Sequence, residues 1–479
     1  MKQYIKHFIL LIATLSAFVS GNAQDSLSYY LEQSALNNPG VKAKYLEYSA
    51  ALEKVPQASS LPDPELQFGY FIKPMQLLMG NQVADIRLMQ MFPWFGVLKA
   101  AKDEASKMAV AKFESFRDAK DELYFNVKSS YYKVYRTIYE IGITKKNLDI
   151  LKSLEQIVLV KFSTGGAGSS SGNSSPMPAG SNNSSPGSSG MNGGSMANQS
   201  TGSGSVSSSS ANKPAMASSG GGIGSSMGGS GKNDMVNLLR VQMEIHELEN
   251  KLALLQDQLT TDKVSFNRYF NRAPLSEVFT GDSLKEVPLP SDLLTLADSL
   301  VNHPMVKMYE AESEANAAKL AMVRHMGYPM VGFGLNYSVI QKRDGVPPMM
   351  NGNDMIMPMI SMTLPIYRKK YKAMRHEAEF MRDASTVSSE NVTNNLRVSF
   401  QEAMQNLNDA GRRVKLNTEQ ALLADKSVQL LMTSFSASGT DFEEVLRMEQ
   451  QLLDYQFKQV EAIADKNTAI AQLVYLTGN

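Results

Sequence analysis

The chain has 479 residues, with 47 basic and 47 acidic side chains and no net formal charge at pH 7. That length suffices for several structural layers, and the balanced charge offers no basic field to nucleic acid or to an anionic surface. Cysteine is absent, which excludes disulfides, thiolate metal sites and a lipid-modified N-terminal cysteine.

Residues 1–23 read as a secretory signal peptide. Lys2, Lys6 and His7 form a basic start, Phe8 to Val19 is apolar, and Gly21-Asn22-Ala23 offers a small-x-small cleavage site. The apolar stretch is too short to span a bilayer as a helix, and no later stretch approaches the roughly 20 apolar residues that a membrane helix needs. An exported chain of this kind enters a membrane only as a β-barrel.

A first unit follows over 24–164. It opens with a short helix. Leu66, Phe68, Tyr70 and Ile72 then alternate with Glu65, Gln67, Gly69 and Phe71, which predicts a strand at 65–72, and a returning strand is expected at 84–91. From about 98 to 163 there is no proline, which predicts one very long helix of about 100 Å. Residues 165–231 hold 23 Ser, 18 Gly and a single charge, Lys213. Such a composition cannot bury enough surface to fold and is expected to form a disordered insert over 165–233. Residues 234–290 complete the first unit and link to the second. Its helix, expected at 234–272, repeats Leu238, Val241, Ile245, Leu248, Leu252, Leu255 and Leu259 at three- and four-residue steps, as a coiled-coil seam does.

The second unit, 291–479, follows the same plan. Strands are expected at 330–339, where Val331, Phe333, Leu335, Tyr337 and Val339 alternate with small or polar residues, and at 357–364. Long helices are expected at 368–435, with an interruption near Gly411, and at 441–476. The duplication is visible residue by residue. Asn38-Pro39-Gly40-Val41-Lys42 matches His303-Pro304-Met305-Val306-Lys307, Pro64 matches Pro329, and Gly69 matches Gly334. Met91-Phe92-Pro93-Trp94 parallels Thr363-Leu364-Pro365-Ile366, and Phe162-Ser163-Thr164-Gly165 parallels Phe435-Ser436-Ala437-Ser438-Gly439. Strands of 8 to 10 residues suit a tilted membrane strand. Four of them cannot close a barrel, and lipid does not tolerate open edges. A membrane reading therefore requires several chains, and three would supply twelve strands.

This duplicated pattern, with Leu61-Pro62-Asp63-Pro64-Glu65, Gln90-Met91-Phe92-Pro93-Trp94-Phe95-Gly96 and Gly439-Thr440-Asp441-Phe442-Glu443-Glu444-Val445-Leu446-Arg447, resembles the TolC family of outer-membrane efflux proteins, in particular its copper/silver or heavy-metal branch. The resemblance covers nearly the whole mature chain except the insert. It implies a mainly α fold with a membrane β-barrel contribution. In such a homotrimer, four strands per chain complete a twelve-stranded barrel in outer-membrane lipid, and a periplasmic α-helical barrel continues it. It also implies two partners, a periplasmic adaptor (membrane fusion) protein and a proton-driven inner-membrane pump. The adaptor-docking tips would be Gly165 and Gly166 joined to Asp234, and Gly439, Thr440 and Asp441. The periplasmic gate would involve Glu443, Glu444 and Arg447. Three Glu444 carboxylates near one axis would attract cations, while Arg447 stands where a second acidic ring is usual.

Methionine is abundant, with 29 residues. Met177, Met191, Met196, Met216 and Met227 lie in the insert. Met349, Met350, Met355, Met357, Met359 and Met362 lie in the loop and strand of the second hairpin. Thioether sulfur is a soft ligand that favours Cu(I), and by analogy Ag(I). The insert residues together with Met349, Met350 and Met355 are therefore candidate metal contacts, whereas a methionine inside a helix or strand reads as packing. No catalytic chemistry is expected. Gly231-Lys232 lacks the first glycine and the Ser/Thr of a phosphate loop, because Ser226 and Asn233 stand there. The five histidines form no H-E-x-x-H, and no serine nucleophile sits on a strand-to-helix turn. No cofactor is implied. The expected function is passive conduction of Cu(I)/Ag(I) or another heavy metal to the exterior. The alternatives are a conduit for organic solutes or drugs, or a periplasmic coiled-coil scaffold without transport.

Overall fold

A computed structural model describes residues 26–165, 230–281, 284–288, 300–345, 351–438 and 442–478. The expected signal peptide, 1–23, and residues 166–229 of the expected insert lie outside them. The first repeat contains α1 (Ser26–Asn37), α2 (Pro39–Ala58), β1 (Glu65–Leu77), β2 (Gly80–Phe92), α3 (Val97–Gly165) and α4 (Ser230–Asn267). The second contains α5 (Pro304–Met326), β3 (Met330–Gln341), β4 (Met355–Thr363), α6 (Arg368–Ser438) and α7 (Phe442–Thr477).

The repeated dipeptide before α2 and α5 is a helix start. The Asn38 side chain accepts from the backbone N–H of Gly40 at 2.9 Å and of Val41 at 3.1 Å. His303 Nδ1 accepts from Met305 N–H at 3.2 Å. Proline follows at the first helical position in both, where a missing N–H costs nothing.

The strands form one antiparallel sheet in the order β1-β2-β3-β4. The two repeats meet at its centre, with Leu88 opposite Leu335 and Ile86 opposite Tyr337. β1, β2 and β3 extend beyond the predicted bounds, and β4 begins two residues and ends one residue earlier than expected. The ladder continues through polar pairs such as Gln76–Asn81, and a register break between Tyr70 and Met75 absorbs Pro74, which donates no hydrogen bond. At the β1–β2 turn Gly80 has φ +131, and a Cβ there would lie 2.6 Å from the Gln341 carbonyl oxygen.

The helices correct the expected boundaries at three points. α6 runs 71 residues without interruption at Gly411. A glycine weakens a helix by only about 1 kcal/mol, and the packing of α6 on α7 overrides that. α4 begins at Ser230, inside the predicted insert, because extending a nucleated helix by a few residues is cheap. It ends at Asn267 and not at 272. A 3-10 turn over Arg268–Phe270 and a left-handed Asn271 (φ 49) turn the chain away.

Two units are distinct, residues 1–149 with 246–479, and residues 150–245. In the smaller one, Leu151, Leu154 and Val158 of α3 and Leu238, Val241 and Ile245 of α4 are buried, and Gln242 Nε2 donates to Glu155 Oε1 at 2.9 Å. In the larger one, an aromatic core gathers Tyr30, Tyr131, Tyr135, Phe266 and Phe270. A second core joins Leu396, Ala403 and Leu407 of α6 to Ile470, Leu473 and Leu476 of α7. The linker is sewn to α7 by Asn467, which accepts from Val287 N–H and donates to the Lys285 carbonyl, both at 2.9 Å.

Candidate functional site

Strand pairing sorts the sheet into two faces, because alternate side chains point to opposite sides. One face carries Leu66 and Phe68 of β1, Ile86 and Leu88 of β2, Phe333 and Leu335 of β3, and Ile356 and Ile360 of β4. These side chains are exposed; Phe68 is 71% accessible and Ile360 76%. The other face carries Gln67, Asp85, Arg87, Asn336, Ser338 and Ser361, with Met89, Met91, Met355, Met357 and Met359 among them. Gln82 Nε2 donates to Ser338 Oγ at 3.2 Å on this face. Both edge strands, β1 and β4, leave one side unpaired within the chain. Exposed aromatic rings gather where the sheet joins the helices. Trp94 stacks on Tyr328 with centroids 5.4 Å apart, Phe92 meets Phe333 at 6.0 Å, and Phe95 and Tyr367 are exposed nearby in sequence.

Helix α6 carries an unexpected exposed stripe. Phe380, Val387, Val398, Leu416, Leu423 and Leu430 are all exposed. Their spacings of 7, 11, 18, 7 and 7 residues return to nearly the same angle at 100° per residue, so they form a narrow apolar line.

Of the predicted tip and gate residues, Gly165 closes α3 and Asp234 lies in α4. Gly166, Gly439, Thr440 and Asp441 lie outside the described residues. Glu443 and Glu444 occupy the first turn of α7, where the helix dipole favours acidic groups. Arg447, one turn on, grips both carboxylate oxygens of Glu444, with Oε2 at 2.6 Å. The carboxylate hydrogen bond and charge hold the guanidinium pKa above its ordinary value. Met177, Met191, Met196, Met216, Met227, Met349 and Met350 also lie outside the described residues. Met355 opens β4, opposite Ser338.

Sequence reasoning did not find a buried titratable group where α3, α5 and α7 meet. His303 is 1% exposed, its Nδ1 is 4.0 Å from Asp118 Oδ1, and Tyr475 donates to the same carboxylate oxygen at 3.3 Å. Because Nδ1 accepts from Met305, the ring proton sits on Nε2, which is buried without a partner among the described residues. Burial lowers the His303 pKa to about 4. Burial, reinforced by the nearby Glu122 charge, raises Asp118 to about 6. At neutral pH the histidine is therefore uncharged and the aspartate ionised. His303-Pro304, the counterpart of Asn38-Pro39 in the repeat, was the available signal, but nothing in the sequence linked it to positions 118 and 475.

No protein-family model matches the chain, and no curated protein matches it by sequence. Solved structures do. CusC is 14% identical over 95% of this chain and 93% of that chain, with a TM-score of 0.66. VceC of Vibrio cholerae is 11% identical over 95% and 96%, with a TM-score of 0.66. The CmeC outer membrane channel of Campylobacter jejuni is 10% identical over 95% and 86%, with a TM-score of 0.67. The chain has the TolC-type channel fold. That fold unites features which are puzzling in an isolated molecule: a sheet with an uncovered apolar face, two open edges, and helices far longer than the sheet requires. Among the described residues no helix is long and apolar enough to cross a membrane, and the channel fold places its exposed apolar surface on strands.

Proposed function

We propose that the chain is the outer-membrane subunit of an efflux conduit. Three copies pool their strands into a twelve-stranded barrel and pass substrate outward from a periplasmic adaptor and a proton-driven inner-membrane pump. The observation that carries this reading is the two-faced open sheet. Its uncovered apolar face suits lipid, its polar face suits a water-filled lumen, and its two free edges need partners that lipid cannot supply. Four strands give too small a ring to close, and twelve do not. The aromatic rings at the helix end of the sheet suit a membrane–water boundary. The apolar line along α6 suits contact with a second copy, since large exposed apolar stripes on a helix call for a partner.

The hairpin tips, Gly165 to Asp234 and Gly439 to Asp441, dock the adaptor in this reading, and α7 begins at the gate. Arg447 neutralises Glu444 there, so three copies form a ring of ion pairs and not of bare carboxylates. The channel does no chemistry, and its energy comes from the pump. The favoured cargo is a soft monovalent metal, Cu(I) or Ag(I), supported by the methionine content of the second hairpin and the insert. An organic solute is the second reading.

The test is direct. Outer-membrane fractions should contain the chain as a trimer by crosslinking, and the purified protein should conduct ions in planar bilayers. A water-soluble monomer or dimer in the periplasm would refute the conduit and favour a coiled-coil scaffold. A deletion strain should be sensitive to copper or silver; sensitivity to organic toxicants alone would keep the conduit and discard the metal.

A further inference from the structure

We propose that the polar face of the sheet carries a thioether site for a soft monovalent cation, built by Met89 and Met91 of β2 and Met359 of β4 around Ser361. The site rests on the reading that this face lines an aqueous lumen.

Met89 and Met91 are two apart in a strand, so both point to the polar face. The pairing sets Met89 opposite Gly334, with Met359 beyond it, and Met91 opposite Gly332, with Ser361 beyond it. β2 and β4 are about 10 Å apart, twice the inter-strand spacing, and two long side chains can span that distance only if the strand between them is bare. It is. A Cβ on Gly332 would lie 2.4 Å from Met91 Sδ and 2.4 Å from Ser361 Oγ, and one on Gly334 would lie 3.3 Å from Met89 Cε. Through this gap both sulfurs of β2 reach the same hydroxyl on β4, with Ser361 Oγ 3.1 Å from Met89 Sδ and 3.6 Å from Met91 Sδ. Two thioethers converging on one point, with a third methionine on the same row, is the donor set that Cu(I) and Ag(I) prefer over hard cations.

Packing alone does not account for the placement. Methionine used as adaptable filler belongs where apolar surface is buried. Yet Met89, Met91, Met355, Met357 and Met359 stand on the face shared with Asp85, Arg87 and Asn336. Among the described strand residues in regular register, only Met362 joins the Ile, Leu and Phe side chains opposite. Met89 and Met91 remain half-exposed, and Met355 and Met357 are exposed. Thioethers carry no proton to displace, so binding should be nearly independent of pH between 5 and 8, unlike a histidine or thiolate site.

The test uses the full chain, purified in detergent and titrated with Ag(I), a probe that needs no reductant. Sulfur coordination is read by X-ray absorption and affinity by calorimetry. The double variant Met89→Leu/Met91→Leu keeps side-chain volume. It should lose one class of sites per chain, or weaken it by at least about tenfold, since it removes two soft donors. Met362→Leu on the apolar face should leave that class intact. Conductance and trimer content of each variant report on the channel separately. The proposal is overturned if wild type binds no Ag(I) through sulfur, if the double variant binds like wild type, or if Met362→Leu loses the same class. A double variant that conducts normally but has lost the Ag(I) class supports the site. A wild type that binds Ag(I) at these methionines without conducting would sink the conduit and keep the site.

Discussion

Phe68 and Gln67 are adjacent in β1, both are exposed in the chain, and they point to opposite faces of the sheet. Phe68 lies opposite Ile86, the middle residue of β2, and Gln67 lies opposite Arg87. Replacing each with lysine separates lipid from lumen. A lysine on the lipid face near mid-depth costs about 2–4 kcal/mol per chain, and so about 6–12 kcal/mol per trimer. A lysine at 67 meets the like charge of Arg87 across the strand. In a water-filled lumen that repulsion is at most about 1 kcal/mol and is screened further by salt. Phe68→Lys should therefore deplete folded trimer in the outer membrane strongly, while Gln67→Lys leaves it near wild type. Detergent-resistant trimer in membrane fractions and urea-induced unfolding from lipid vesicles both report the difference. Equal tolerance of the two variants, or a worse outcome for Gln67→Lys, would refute the assignment of the faces.

Leu423→Asp, in the exposed line of α6, should shift the purified protein from trimer toward monomer. Burying an unpaired carboxylate in an interface costs several kcal/mol, and light scattering in detergent reads the mass. Arg447→Glu should free Glu444 from its ion pair and place three like charges in the first turns of α7, raising conductance and cation selectivity in planar bilayers; unchanged selectivity would remove these residues from the gate. Gly411→Ala should stabilise the chain by about 1 kcal/mol, because a Cβ there meets nothing within 4 Å and alanine is the better helix former. Asp118→Asn should make stability depend on pH. Asp118, raised to about 6, keeps a proton that the unfolded chain loses near 3.8, so its contribution falls by about 3 kcal/mol as pH rises between those values. His303, lowered to about 4, refuses a proton that the unfolded chain accepts below 6.5, so its contribution rises by a similar amount over almost the same range. The two nearly cancel. Relative to wild type, Asp118→Asn should gain stability as pH rises from 4 to 6 in thermal unfolding, and a flat difference would refute the assignment.

The repeat made much of the fold legible. Asn38-Pro39 and His303-Pro304 marked equivalent helix starts, and alternation in 65–72 and 330–339 marked strands, because one face of each is uniformly apolar. The turn-side ends of β1 and β2 were hidden, since Gln76, Asn81 and Gln82 carry no hydrophobic signal. Gly411 suggested a break that tertiary packing overrides. The buried group at His303 needed three elements from distant parts of the chain. The methionines show a different gap. Those in the loops drew attention because no packing explains them there, whereas Met89 and Met91 read as ordinary strand residues until pairing put Gly332 and Gly334 beside them.

The central ladder joins the second strand of one repeat to the first strand of the other. Each chain thus already contains one copy of the joint that a closed ring must make between chains, where β4 of one copy would meet β1 of the next. A wall of three chains is then six hairpins held by a single kind of seam, half of them covalently tethered. Splitting the gene between the two repeats would alter the number of polypeptides while leaving the number of seams, and so the bore, the same.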